Sequence, residues 1–187
     1  MEYLLGIDIG TSGTKTVLFD RDANPITAKT FEYPLYQEQN GWAEQEPEDW
    51  WNAGVQGVQA VLQASGVDVA DIKGIGLSGQ MHGLVTLDEN DNVIRPAILW
   101  NDGRSQKETE YLNNEIGKDK LSQYTANIAF AGFTAPKILW MKKNQPEKFA
   151  KIAKIMLPKD YLAYRLSGSF CTDVSDASGM LLLDVKN

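Results

Sequence analysis

Apolar residues crowd the start of the chain: Tyr3, Leu4, Leu5, Ile7 and Ile9 lead into Gly10-Thr11-Ser12-Gly13. This pattern predicts a buried strand over Tyr3–Ile9. Thr14–Asp20 and Ile26–Tyr33 are also short and β-rich, so they read as two more strands, with turns at Gly10–Gly13 and Asp22–Pro25. Gly41–Gln45 reads as a loop. The period then changes. Trp51, Val55, Val58 and Leu62 recur at helical spacing and predict a helix from Pro47 to about Ala64. Pro47 suits the first turn, and Glu46, Glu48 and Asp49 favour a helix N-terminus. Gly54 and Gly57 weaken that helix by about 1 kcal/mol each relative to Ala, and they allow close approach to a sheet. Ile72–Ser78 is the next buried strand.

Beyond it, Leu84–Leu87 and Val93–Ile94 read as a hairpin around Glu89–Asn92. Asp88, Asn90 and Asn92 resemble the start of a calcium loop, but Val93 stands where that loop requires Gly, so the segment reads as a turn. Helices are predicted over Ser105–Glu115, stopping near Gly117, and over Thr134–Lys143, with Thr134 as cap and Pro136 in the first turn. Two more cover Pro146–Ala153 and Pro158–Leu166, the latter ending at Gly168. Ile155–Leu157 and Ser169–Thr172 read as short strands. The sum is an α/β chain with a mixed sheet.

Chemistry gathers where strands end. Asp8 lies at the end of the first strand, placed to hold a hydrated Mg²⁺, which favours carboxylates, water and phosphate oxygens. Gly10 and Gly13 can take positive φ, and successive N–H groups in such a turn can bind an anion. An acid beside a backbone anion nest suits a nucleotide. Two other phosphate motifs fail: a P-loop needs Gly directly before Lys15, and a dinucleotide fingerprint needs a helix where Thr16–Asp20 reads as a strand. The plain alternative is a tight hairpin whose Asp8 caps a backbone group.

Gly79-Gln80-Met81-His82-Gly83 follows the next buried strand. Gln80 and His82 offer donors and acceptors, and Met81 offers a polarizable apolar wall. That mixture suits a polyol or sugar; the alternative is a histidine satisfied within the turn. Trp100-Asn101-Asp102-Gly103-Arg104 could close over a sugar. It could equally be structural, with Asp102 capping the next helix and pairing with Arg104. Trp42, Trp50, Trp51 and Trp140 read as core or interface residues.

Composition narrows the class. A net charge of −7 argues against nucleic acid as the main partner. No run approaches the ~18 apolar residues of a membrane span, and no signal peptide is expected at the start. Cys171 is the single cysteine, which fits a reducing cytoplasm. His82 is the single histidine, which excludes multi-histidine metal sites.

Five segments, in order, resemble the N-terminal part of the FGGY carbohydrate kinase family. They are Gly6–Lys15, Gly79–Gly83 with Arg95–Arg104, Gly132–Asn144, Leu157–Leu162 and Thr172–Gly179. The resemblance implies a ribonuclease-H-like, actin-like ATPase domain with helices flanking the sheet. It implies ATP and Mg²⁺ as cofactors and phosphorylation of D-xylulose at its terminal hydroxyl. Asp8 would orient the metal through water. Gly10, Thr11, Ser12 and Gly13, and less clearly Lys15, would meet the phosphates. Gln80, Met81 and His82 would bind the ketose, with Asp102 a weaker candidate. Family members are more than twice as long, with two actin-like domains and a possible homodimer. Residues 1–187 are thus expected to be an incomplete N-terminal domain, with the second domain absent and the catalytic base beyond Asn187. Another pentulose or sugar-acid kinase is the alternative within the family. The Gln-Met-His-Gly turn argues against glycerol kinase, where the resembling turn carries an Arg-Glu pair. A non-catalytic sugar-binding module and an actin-like structural ATPase are the alternatives outside it.

Overall fold

The computed structural model describes residues 1–186. Strands β1 (Tyr3–Ile9), β2 (Gly13–Asp20) and β3 (Pro25–Glu32) form an antiparallel run. Before the chain closes the sheet it makes a two-residue strand, β4 (Glu44–Gln45), and helix α1 (Pro47–Ser65). Strand β5 (Ile72–Gly79) then pairs in parallel with β1, giving the order β3-β2-β1-β5. This is the mixed sheet that the sequence predicts.

Helix α1 begins where Pro47 and the acidic Glu48 and Asp49 favour it, and it stops at Gly66. There φ reaches 68°, and the Gly66 N–H bonds the Leu62 carbonyl. The helix buries Trp50, Ala53 and Val61 against one face of the sheet, which supplies Leu5, Ile7, Ile9 and Leu18. Gly57 permits the approach: a Cβ there would lie 2.2 Å from Thr16 Oγ1. The opposite face carries Gly6, Asp8, Lys15 and Ser78 and is largely exposed, so α1 and the later helix α6 (Pro158–Ser167) lie on one side only.

Several elements depart from the sequence reading. The predicted Gly41–Gln45 loop contains β4, which pairs with β7 (Ala97–Ile98). Strand β6 (Val85–Leu87) takes β8 (Lys154–Met156) as its main partner, and the expected hairpin shrinks to a bridge from Leu87 to Val93. Helix α2 (Gln106–Tyr111) widens into a π turn that ends at Gly117, φ 96°, as predicted. A further helix, α3 (Lys118–Thr125), follows; its polar sequence gave no apolar period. Helix α4 (Thr134–Asn144) is capped by Phe133 rather than Thr134, and α5 (Pro146–Phe149) is shorter than expected. Ser169–Thr172 forms no strand, because the segment is exposed and no strand pairs with it; α7 (Val174–Ala177) follows. The main core joins Ile7, Ile9, Trp50, Val85, Leu99 and Leu162. Among the described residues no helix is long and apolar enough to cross a membrane.

Candidate active site

The β1–β2 turn closes with a bond from the Gly10 N–H to the Gly13 carbonyl, 3.0 Å. Neither glycine takes positive φ, contrary to the expectation for them. They are small for another reason. A Cβ on Gly13 would meet the Phe31 carbonyl at 2.8 Å, and one on Gly10 would meet Gly13 O at 3.0 Å. Tyr33 anchors the turn through its hydroxyl, which donates to Gly10 O at 2.5 Å; burial pushes that phenol up to about 12. Trp100 Nε1 donates to Thr11 Oγ1 at 3.0 Å. The N–H groups of Thr11 and Ser12 have no acceptor among the described residues, so they remain available to an anion.

Asp8 is exposed beside this turn, with no hydrogen bond or ion pair among the described residues. It does not cap the hairpin. In register it faces Lys15 on β2 and Ser78 on β5, and all three line a shallow pocket of about 310 Å³. No cluster of three or more His, Cys, Asp or Glu able to hold a metal occurs among the described residues. A single free carboxylate beside free N–H groups still fits Mg²⁺, which keeps several waters and takes phosphate oxygens as ligands.

The second turn leaves β5 at the same end of the sheet. Gln80 is buried: its N–H bonds Ile9 O at 2.7 Å and its Nε2 bonds Gln45 Oε1 at 2.9 Å. Gln45 also accepts from Trp50 Nε1 and donates to Thr11 O at 2.7 Å. One glutamine on β4 therefore ties the two turns together. Met81 is 52% exposed. His82 takes φ 60°, a left-handed conformation uncommon for a non-glycine residue. Its ring packs on Phe133 with centroids 4.4 Å apart, and its Nδ1 is buried without a partner among the described residues. Gly179 makes room, since a Cβ there would lie 2.3 Å from the imidazole. Burial, followed by nearby Lys137, lowers the His82 pKa to about 4, so the ring is neutral at pH 7.

Met81, His82, Phe133, Lys159, Asp173 and Asp176 line a cleft of about 460 Å³. Leu77 and Ser78 belong to both this cleft and the Asp8 pocket, so the two are contiguous. Lys159 is held by Asp160, Asp173 and Asp176 at 2.6, 2.7 and 3.2 Å. These bonds outweigh its desolvation and raise its pKa.

Asp102 does not line the cleft. It is 2% exposed, and its oxygens accept from Ala43 N and from the backbone and guanidinium of Arg104 at 2.6–2.9 Å. Nor does it cap α2, where Ser105 holds that position. Of its two structural readings, only the pairing with Arg104 is observed. Arg104 also meets Glu44 and stacks on Trp42 at 3.7 Å, with Trp140 at 5.0 Å. Gln45, Tyr33 and Lys137 are contributors that sequence reasoning missed. The Trp42-Ala43-Glu44-Gln45 run carried polar residues in a predicted loop, the one signal that could have pointed to Gln45.

Residues 3–187 match the FGGY family of carbohydrate kinases, N-terminal domain, and the chain belongs to that family. The mixed α/β fold is that of the family's actin-like N-terminal domain. A xylulose kinase from Lactococcus lactis is 45% identical over 190 residues, covering 100% of this chain and 37% of the relative. A xyloylose kinase from Brucella ovis superposes with a TM-score of 0.94 at 43% identity, covering 98% of this chain and 37% of that one. A gluconate kinase from Lactobacillus acidophilus gives 0.93 at 28% identity, with 100% and 37% covered. The chain thus spans well under half the length of these relatives.

Proposed function

We propose that the chain forms the N-terminal, phosphate- and sugar-binding part of an ATP-dependent kinase that converts D-xylulose to D-xylulose 5-phosphate. The observation that carries this reading is the shared wall at Leu77 and Ser78. It brings the Asp8 pocket and the His82 cleft together at one end of the sheet. Phosphoryl transfer depends on positioning and charge stabilisation, and two adjoining sites for donor and acceptor supply the first. The N–H groups of Thr11 and Ser12, together with Gly10, Gly13 and the exposed Lys15, face the β/γ-phosphates. Asp8 would hold a magnesium ion through its waters, and such an ion would supply neutralising charge for the phosphoryl oxygens. Met81 gives the ketose an apolar wall, and His82 Nε2 bonds a hydroxyl. Gln80 acts through Gln45 by fixing the turn. Asp102 drops out as a sugar contact, because Ala43 and Arg104 occupy its oxygens. The general base on the sugar hydroxyl lies beyond Asn187, outside the described residues. A reducing cytoplasm, in which Cys171 stays a free thiol, is the setting implied.

A sugar-acid substrate is the second reading, favoured by the likeness to the gluconate kinase. The cleft argues against it. Lys159, its one cation among the described residues, is already surrounded by three carboxylates and offers an acid no free charge. Coupled ADP release from the full reading frame, with D-xylulose, D-gluconate and glycerol in turn, tests both. Turnover with D-xylulose is expected to dominate. Preference for D-gluconate would overturn the choice of sugar, and no sugar-dependent release would overturn the kinase reading.

A further inference from the structure

Lys137 is fully buried on α4, and no carboxylate among the described residues bonds it. Its ammonium donates to two backbone carbonyls, His82 O at 2.8 Å and Gly132 O at 2.6 Å. The Thr134 hydroxyl, one turn earlier, donates to the same His82 carbonyl at 3.1 Å. Two side chains of one helix therefore converge on a single carbonyl, that of the residue with φ 60° at the tip of the turn. Burying an amine costs desolvation, and Lys137 shows it: its pKa falls to about 7, with Asp102 and Arg104 the charged groups acting on it. A methionine would fill the space without that cost. The lysine thus spends stability on the geometry of one turn.

We propose that Lys137, with Thr134, is a positioning residue for sugar recognition: it clamps the His82 carbonyl and so holds the imidazole on the cleft. The clamp works with two fixed surfaces. Phe133, the residue before α4, supports one face of the ring, and Gly179 leaves the space the ring occupies. The α4 start therefore carries the clamp, the ring support and the Gly132 carbonyl in six consecutive residues, Gly132 to Lys137. The proposal rests on the reading that His82 contacts the sugar.

His82 is the single histidine, so its imidazole Hε1 gives one downfield proton NMR signal that needs no residue assignment. That signal reports the clamp and the sugar separately. In Lys137→Met the carbonyl loses its main donor and the ring loses a neighbouring cation; both changes should raise the titration midpoint from about 4 toward the ordinary 6.5, so the clamp is read from the midpoint of Thr134→Val, which keeps that cation, and from the sugar affinity of both variants. The other charged groups lining the cleft, Lys159, Asp173 and Asp176, are unchanged in this variant. D-Xylulose titrated against the same signal should bind about tenfold more weakly, the loss of about one hydrogen bond's worth of order. Thr134→Val should move both readouts in the same direction by less, and it decides the question if Lys137→Met does not fold. An unmoved midpoint with unchanged sugar affinity in the folded variants would overturn the clamp. A signal in the parent chain that ignores D-xylulose would overturn the sugar role of His82 instead, leaving the midpoint to judge the clamp.

Discussion

The Asp8 side chain stands exposed at the end of β1 with no partner among the described residues, so replacing it should leave the fold intact. In the full reading frame, Asp8→Asn should abolish phosphoryl transfer while D-xylulose affinity stays nearly constant, if the carboxylate serves the metal and not the sugar as proposed. A kinase assay beside calorimetry checks this, and full activity in the variant would refute the role. His82 makes a different prediction. Its imidazole titrates at about 4 in the fold and at 6.5 when exposed. Between those values the unfolded chain binds more protons, so stability rises with pH there and declines as pH falls from 6.5 to 4. Denaturant titrations across that window should show a flatter slope for His82→Asn than for the parent chain; equal slopes would mean the histidine is not desolvated. At this scale the placement of Asp8 at a strand end and of Thr11 and His82 in turns was legible, because strand ends and glycine-flanked turns are marked locally. Lys137 was not. In sequence it is one cation on a helix, and its burial depends on a turn 55 residues earlier meeting it in space.

Helix α1 shows that two glycines of the same type can play opposite parts. Gly57 faces Thr16 at a distance that no Cβ can occupy, whereas a Cβ on Gly54 would lie 3.6 Å from Leu162 Cδ1, an ordinary contact. Gly54→Ala should therefore stabilise the chain by about 0.5–1 kcal/mol through helix propensity. Gly57→Ala should destabilise it by about 1–3 kcal/mol, since overpacking against β2 exceeds the propensity gain. Chemical denaturation of the two variants reads the signs directly; the same sign for both would show that α1 does not sit on the sheet as described. The period of Trp51, Val55, Val58 and Leu62 placed this helix correctly. It could not distinguish its two glycines, because that difference belongs to the strand beneath.

For the whole molecule, the proposed kinase reading gives the adjoining pockets positioning but not the full reaction. Asp173 and Asp176, the carboxylates lining the cleft, are both paired with Lys159, so neither is free to take a proton from a sugar hydroxyl. The 187-residue chain alone should therefore release no ADP in response to D-xylulose, although the half-pocket can still bind the sugar weakly. Turnover near ordinary kinase rates of ~1–100 s⁻¹ in a coupled assay would place a base within this chain. Hydrophobic period, glycine-marked turns and the residues at strand ends determined the α/β class, the order of the major strands and helices, and the positions of the turns after β1 and β5. These features act over a few neighbouring residues, so the chain carries them locally. Tertiary structure alone decided which strand β6 joins, that Ser169–Thr172 joins none, that Asp102 is spent on Arg104, and that Gln45 and Lys137 hold the two turns. Each of those depends on which distant group fills the remaining hydrogen-bonding and packing space. That choice is made only when the whole chain has closed on itself.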